Sequence, residues 1–163
     1  MAKRKVRIPA PEEIEGGPVE TILMRDTDML WRIIGPMVRL AGKTSAGRFV
    51  MEQTGKLAGT VLAKREMFGM EKAEEPADVV SEWLKVLEGL GCEYEVGKVG
   101  KDEVEVFILD CPAGLSEKDG RETCDSGMSA DRELVRRLGG ELVIGETIAT
   151  GAEKCHLKVV RSS

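Results

Sequence analysis

Apolar residues in the first half of the chain recur three and four positions apart, which is the spacing of amphipathic helices. The pattern predicts a first helix around residues 29–40, kinked or broken at Pro36, because proline removes a backbone hydrogen bond. A second helix is predicted over residues 46–68 and a third over residues 74–90. Residues 1–20, interrupted by prolines and paired glycines, are predicted to form a flexible arm ahead of the domain.

The apolar pattern changes to an alternating spacing in the second half of the chain. Strands are predicted over residues 92–99, 103–111, 141–149 and 155–161, with a polar loop over 116–126 and a short helix over 128–138. Two hairpins joined by a helix predict an α+β fold, with the N-terminal helices packed on a mostly antiparallel four-stranded sheet. Residues 21–163 are then expected to form a single α/β ligand-binding domain with a pocket between helices and sheet.

Charge and aromatic content argue against a nucleic-acid partner. The net charge is −5 and aromatic residues make up 4% of the chain, whereas nucleic-acid binding favours a basic groove with stacking aromatic side chains. No apolar stretch reaches the ~20 residues that span a bilayer, so no membrane span is expected. The charged start lacks the apolar stretch of a signal peptide, and a cytoplasmic location is therefore expected.

The amide content of the chain is unusual. It contains no asparagine and a single glutamine, Gln53, while 33% of its residues are charged. Depletion of heat-labile amides together with abundant Glu, Lys and Arg is typical of hyperthermophile proteins, so a thermophile source is predicted. Because thermophile cytosols are an exception to the rule that intracellular thiols stay reduced, a disulfide stays open as a role for the cysteines.

Two features resemble functional motifs but do not meet their requirements. The Gly-Lys-Thr at residues 42–44 lacks the glycine that a phosphate loop needs at the position of Met37, and a helix rather than a strand is predicted before it. His156 is the single histidine of the chain, and it follows Cys155 directly. Adjacent side chains on a strand point to opposite faces, so His156 is predicted to face away from Cys155.

Cysteine placement is the strongest chemical signal in the sequence. Cys111, Cys124 and Cys155 lie at the edges of predicted elements, where side chains from separate segments can converge. Three thiolates form a soft site suited to zinc or to an iron–sulfur cluster, and they leave one coordination position open. Convergence requires the strand ending at Cys111 and the strand starting at Cys155 to be adjacent and antiparallel. Cys92 is a fourth ligand, a bridge partner or a small buried residue, and the last is favoured.

Several short matches make the C-terminal half resemble the 4-vinyl reductase domain family and the related L-2-amino-thiazoline-4-carboxylic acid hydrolase-like proteins. The matching positions are Cys111-Pro112, Cys124 with a following acid, Glu146-Thr147-Ile148, Gly151, Cys155 and Leu157. In the predicted helices, Gly42, Gly47-Arg48, Gly55 and Gly59 are compatible with the same family. The resemblance covers the chain from Met29 to Val159.

The resemblance implies an α/β fold shared with transport-particle subunits and heme-type nitric oxide sensors. It also implies a pocket that binds a small hydrophobic molecule, and a metal site formed by the same three cysteines. The hydrolase-like branch often carries an acid three residues after the middle cysteine. Here that position is Gly127, and the nearby acids are Asp125 and Asp131.

Three functional hypotheses follow from the sequence. The first is a cytoplasmic domain that binds a small hydrophobic molecule, carries zinc or iron on its cysteines and forms a homodimer. The second is a metal-dependent hydrolase acting on a cyclic amide or thiazoline-like C–N or C–S bond, with Asp125, Asp131 or Glu146 as the base. The third is a structural or assembly protein whose cysteines only stabilise it. The sequence favours the first and leaves enzymatic activity open.

Overall fold

Helices precede strands in the computed structural model of the chain, which describes residues 27–64 and 72–162. The helices are α1 (Thr27–Gly42), α2 (Ser45–Leu62), α3 (Pro76–Gly89), α4 (Gly120–Gly127) and α5 (Ser129–Leu138). The strands are β1 (Tyr94–Val99), β2 (Glu103–Ile108), β3 (Gly140–Ile144) and β4 (Cys155–Arg161), and a short 3₁₀ helix covers Ile148–Thr150. The arm predicted over residues 1–20 lies outside the described residues.

The four strands form one antiparallel sheet in the order β1-β2-β4-β3. The β1–β2 hairpin and the β3–β4 hairpin therefore join through β2 and β4, which run side by side. Ile108 at the end of β2 is paired with Cys155 at the start of β4. The predicted α+β fold is confirmed, and so is the adjacency of the strands that end near Cys111 and begin at Cys155.

Helix α3 supplies the centre of the core. It begins with Pro76, which suits a first-turn position because its missing N–H has no partner there. Its apolar face contacts β2 and β4 and includes Val80, Trp83 and Leu84, each with 0% exposure. Burial of one such side chain contributes roughly 1.5–3 kcal/mol, so this face accounts for much of the stability of the domain.

Helices α1 and α2 form a second layer that packs on α4 and α5. Helix α2 approaches α5 closely at two glycines. A Cβ atom on Gly59 would collide with the carbonyl oxygen of Ala130, and one on Gly55 would collide with the hydroxyl of Ser129. Glycine therefore sets the distance between these two helices.

The polar loop predicted over residues 116–126 is wrong, because α4 occupies most of it. Two of the side chains that make this stretch polar donate to carbonyls of the same turn of chain. Thr123 Oγ1 donates to the carbonyl of Asp119 at 2.7 Å, and Ser126 Oγ donates to the carbonyl of Glu122 at 3.0 Å. Both bonds span four residues, so these hydroxyls are buried without needing water.

Of the kink or break predicted at Pro36, the break is excluded, because helix α1 continues through this exposed proline and water can reach the carbonyl that loses its partner. Two predicted boundaries also change. Helix α2 ends at Leu62 rather than at residue 68. Strand β3 ends at Ile144 rather than at residue 149, because the 3₁₀ helix follows. No helix in the described ranges is long and apolar enough to cross a bilayer.

Candidate functional site

An apolar cavity of about 220 Å³ lies between α1, α3 and one end of the sheet. Helix α1 lines it with Trp31, Ile34 and Val38, and α3 lines it with Trp83 and Leu87. Its volume is just below the roughly 300–1,000 Å³ of typical ligand pockets. At ~30 Å³ for a water-sized group, it accommodates a chain of roughly seven heavy atoms.

Both tryptophans of the chain line this cavity. Trp31 Nε1 donates to the carbonyl of Leu90 at 2.7 Å, which ties α1 to the end of α3. Trp83 Nε1 donates to Asp131 Oδ1 at 2.9 Å, which ties α3 to α5. Each indole N–H is thus satisfied while its ring faces the apolar space, as is usual for a buried tryptophan.

All four cysteines line the same cavity. Cys155 opens β4, Cys111 follows the end of β2, Cys92 precedes β1, and Cys124 lies on α4. The strand pairing brings Cys155, Cys111 and Cys92 to one end of the sheet, and helix α4 contributes Cys124. None is in a disulfide. The convergence predicted for Cys111, Cys124 and Cys155 is therefore present as a shared cavity wall.

Backbone amides donate to two of these sulfur atoms. The Leu115 N–H donates to Cys111 Sγ at 3.4 Å, at the end of a turn closed by the bond from Gly114 N–H to the Cys111 carbonyl at 2.8 Å. The Ile148 N–H donates to Cys155 Sγ at 3.4 Å. Such bonds favour the thiolate over the thiol, because they stabilise negative charge on sulfur.

Burial acts in the opposite direction and dominates. It raises the pKa of Cys92 to about 12, with further contributions from the charges of Asp131 and Cys111. Burial also raises the pKa of Cys124 to about 11 and raises the pKa values of Cys111 and Cys155, although the amides oppose the shift at the last two. All four sulfurs are therefore protonated at neutral pH, and none is an activated nucleophile.

The described residues include no group of three or more His, Cys, Asp or Glu side chains that could hold a metal ion. The donor chemistry of Cys111, Cys124 and Cys155 suits zinc or iron, but their side chains as placed do not form a ligand set. The metal site predicted from the sequence stays a prediction.

Two polar groups interrupt the apolar wall. Asp131, in the first turn of α5, lines the cavity and accepts the Trp83 indole N–H. Burial raises its pKa, while the indole bond opposes the shift. Thr147 is 1% exposed, and its hydroxyl belongs to the cavity wall. That hydroxyl lies towards the Cys124 thiol, whose pKa it lowers.

The three acids considered as hydrolase bases are not gathered at one place. Asp125 forms ion pairs with Arg121 and Arg132, each at 3.0 Å. Glu146 is exposed to solvent. Asp131 is the one carboxylate among the described residues that line the cavity. No pair of carboxylates is therefore placed for acid–base catalysis there.

His156 faces away from the cavity, as predicted. Its ring stacks on Phe107 with centroids 4.8 Å apart, and its Nε2 lies 3.3 Å from Glu105 Oε1. These groups belong to the opposite face of the sheet, whereas Cys155 lines the cavity. His156 therefore takes no part in the candidate site.

Sequence reasoning missed the role of three residues at this site. Trp31, Trp83 and Thr147 all line the cavity, yet helical periodicity shows only that a side chain points inward. The signal that could have found Thr147 is its place between two matched cysteines. For the tryptophans no such signal exists, because a core position and a cavity wall have the same pattern.

The sequence matches no protein-family model and no curated protein. Among solved structures, the fold is similar to that of a trafficking protein particle complex subunit 3 from Naegleria fowleri, described as covalently bound to palmitic acid. The two share a TM-score of 0.63 at 12% identity, over 85% of this chain and 96% of that one. The likeness shows a shared fold.

Proposed function

We propose that this chain is a binding domain for a small hydrophobic molecule held in the cavity between α1, α3 and the sheet. The observation that carries the proposal is the cavity itself, because an apolar space walled by two tryptophans and four uncharged thiols has no evident role in stability. Filling it would bury more apolar surface and stabilise the fold, so an open cavity comes at the expense of stability. The similar fold with bound palmitic acid adds support.

The ligand is expected to be shorter than a palmitoyl chain, because the cavity holds roughly seven water-sized groups. The thiols offer a second mode of retention, since a fatty acyl group could be held as a thioester. The raised thiol pKa values argue for reversible, non-covalent binding instead, because thiolates are the nucleophiles in acyl transfer.

Two mass measurements on purified protein test this function. Solvent extraction followed by mass spectrometry is expected to release a stoichiometric apolar compound, and the intact protein mass is expected to equal that of the unmodified chain. A mass increase that hydroxylamine removes would show thioester attachment. Protein that yields no compound and binds no alkyl ligand on titration would contradict the proposal.

Metal binding by the cysteines is a second candidate function. The N–H bonds to the sulfurs of Cys111 and Cys155 favour it, because such bonds are made to thiolate ligands. Zinc or iron would replace the thiol protons and require the three sulfur atoms to move closer together. Metal analysis of anaerobically purified protein would support it by finding near-stoichiometric metal that is lost on Cys111→Ala. Metal-free protein with four reduced thiols would oppose it.

The proposed assembly is a homodimer formed through the outer face of α1 and α2. Large apolar side chains there are 56–70% exposed: Ile33, Met37, Leu40, Phe49 and Leu57. On α1 they recur at helical spacing, so they form one continuous stripe. A second copy of the same surface could cover this apolar stripe.

The family membership of the chain and its location in the cell are part of the same proposal. We place the chain with the 4-vinyl reductase domain proteins because its matched cysteines surround a cavity between helices and sheet. We place it in a reducing cytoplasm because its described cysteines are all free.

A further inference from the structure

Asp131 is the one charged side chain among the described residues that line the cavity. It lies in the first turn of α5, where the helix N-terminus favours a negative charge. Its contacts are the Trp83 indole N–H, 2.9 Å from Oδ1, and its own backbone N–H. No lysine, arginine or histidine of the described residues forms an ion pair with it.

The remaining wall gives this carboxylate no counter-charge. The described lining residues include no basic side chain, and the Cys92 thiol, which the charge of Asp131 affects, stays protonated. The other polar group in the wall is the Thr147 hydroxyl. A ligand that fills the apolar space therefore brings its head group to an acceptor rather than to a donor or a cation.

We propose that the cavity selects apolar molecules carrying an amine or another hydrogen-bond-donating head group, which binds the Asp131 carboxylate. This inference rests on the proposed ligand-binding function and specifies its ligand. An ammonium group both neutralises the buried charge and donates to the free lone pairs of the carboxylate. A hydroxyl group donates without neutralising. A carboxylate brings a second negative charge beside Asp131 and is disfavoured.

The structural alternative is that Asp131 serves only to satisfy the indole of Trp83. Asp131→Asn separates the two roles, because the amide oxygen still accepts from the indole while the charge is gone. A purely structural role predicts no change in ligand preference. A recognition role predicts a change in preference even where the fold is intact.

The test is a titration of the full chain at neutral pH with hexylamine, hexanol and hexanoate, which fit the size of the cavity, share one chain length and differ in head group. We expect the wild type to bind hexylamine most tightly and hexanoate most weakly. Asp131→Asn should weaken hexylamine binding about ten- to a hundredfold, leave hexanol nearly unchanged and strengthen hexanoate. Asp110→Asn is the matched control, because Asp110 is exposed and does not line the cavity.

The outcomes separate this inference from the function on which it rests. Equal affinity for all three compounds, unaltered by Asp131→Asn, would leave ligand binding in place and overturn the head-group preference. Binding of none of the three would overturn the ligand-binding function itself. A loss of hexylamine binding in Asp110→Asn equal to that in Asp131→Asn would show a general charge effect and also overturn the inference.

Discussion

Cys155, the first residue of β4, is paired with Ile108, the last residue of β2, across an antiparallel ladder. This pairing places Cys155 close to Cys111, which lies three residues beyond Ile108. It also fixes which end of the sheet the cavity occupies. The cavity and its thiols are thus a direct result of joining the two hairpins through β2 and β4.

The thiols should react slowly in the folded protein. Burial raises the pKa of Cys124 to about 11 and that of Cys92 to about 12, so few thiolates are present at pH 8. Alkylation with iodoacetamide, followed by peptide mass spectrometry, should label Cys124 and Cys92 much more slowly than in the same protein unfolded in guanidinium. Labelling at equal rates in both states would contradict this account of the site.

Stability should fall at alkaline pH because of the same thiols. The folded pKa of Cys124 is raised from its usual 9.0 to about 11, so the unfolded chain loses this proton first. The stabilising contribution of the protonated Cys124 thiol is fully present below pH 9 and is lost as the pH rises from 9 to 11. The difference in unfolding free energy between wild type and Cys124→Ala, measured with urea, should therefore shrink over that window. A constant difference would argue against a buried neutral thiol.

Close packing of α2 on α5 predicts a large effect of a single methyl group. Gly59→Ala places a Cβ atom against the Ala130 carbonyl oxygen, and the backbone there cannot easily move. The expected loss is about 1–3 kcal/mol of unfolding free energy, measured by chemical denaturation.

Gly127→Ala is the matched control for that variant. Its added Cβ would meet only Val38 Cγ1, at 3.9 Å, which is an ordinary contact. Its stability should equal or slightly exceed that of the wild type. Similar losses in both variants would show that the cost of Gly59→Ala does not come from the contact with the Ala130 carbonyl oxygen.

The apolar stripe on α1 and α2 predicts a dimer that one charge can break. Phe49 is 62% exposed on α2, and Phe49→Glu should convert a dimer to a monomer in analytical ultracentrifugation. Val143→Glu is the control, since Val143 is 42% exposed but lies on β3, away from the stripe. A wild type that is already monomeric at high concentration would oppose the proposed homodimer.

Much of the fold could be predicted because its signals are local. The alternation around Val104 and Val106 and the turn at residues 100–102 specify a hairpin without reference to the rest of the chain. Alternation along β4 likewise predicts that the side chains of Cys155 and His156 point to opposite faces of the sheet, and the structure confirms it. Helix α3 was equally clear, since Pro76 marks its start and its apolar face is continuous.

What could not be predicted depends on tertiary packing. Helix α4 is polar in sequence, and it is stable because Thr123 and Ser126 bond to their own helix and lie under α1 and α2. The cavity has no sequence pattern at all, because Trp31 and Trp83 occupy ordinary inward-facing positions. The cysteine-bound metal, membership of the 4-vinyl reductase domain family and the thermophile source stay predictions.

Fluorescence quenching by a brominated alcohol tests the central claim most directly. Both tryptophans of the chain line the cavity, so bromopentanol, whose seven heavy atoms fit the cavity, should quench the intrinsic emission in a saturable manner when it binds there. Gly127 also lines the cavity, and Gly127→Leu should block it and abolish saturable quenching, while Gly127→Ala should retain it. If the wild type shows no saturable quenching, or if Gly127→Leu is quenched as strongly as the wild type, the cavity is not the binding site.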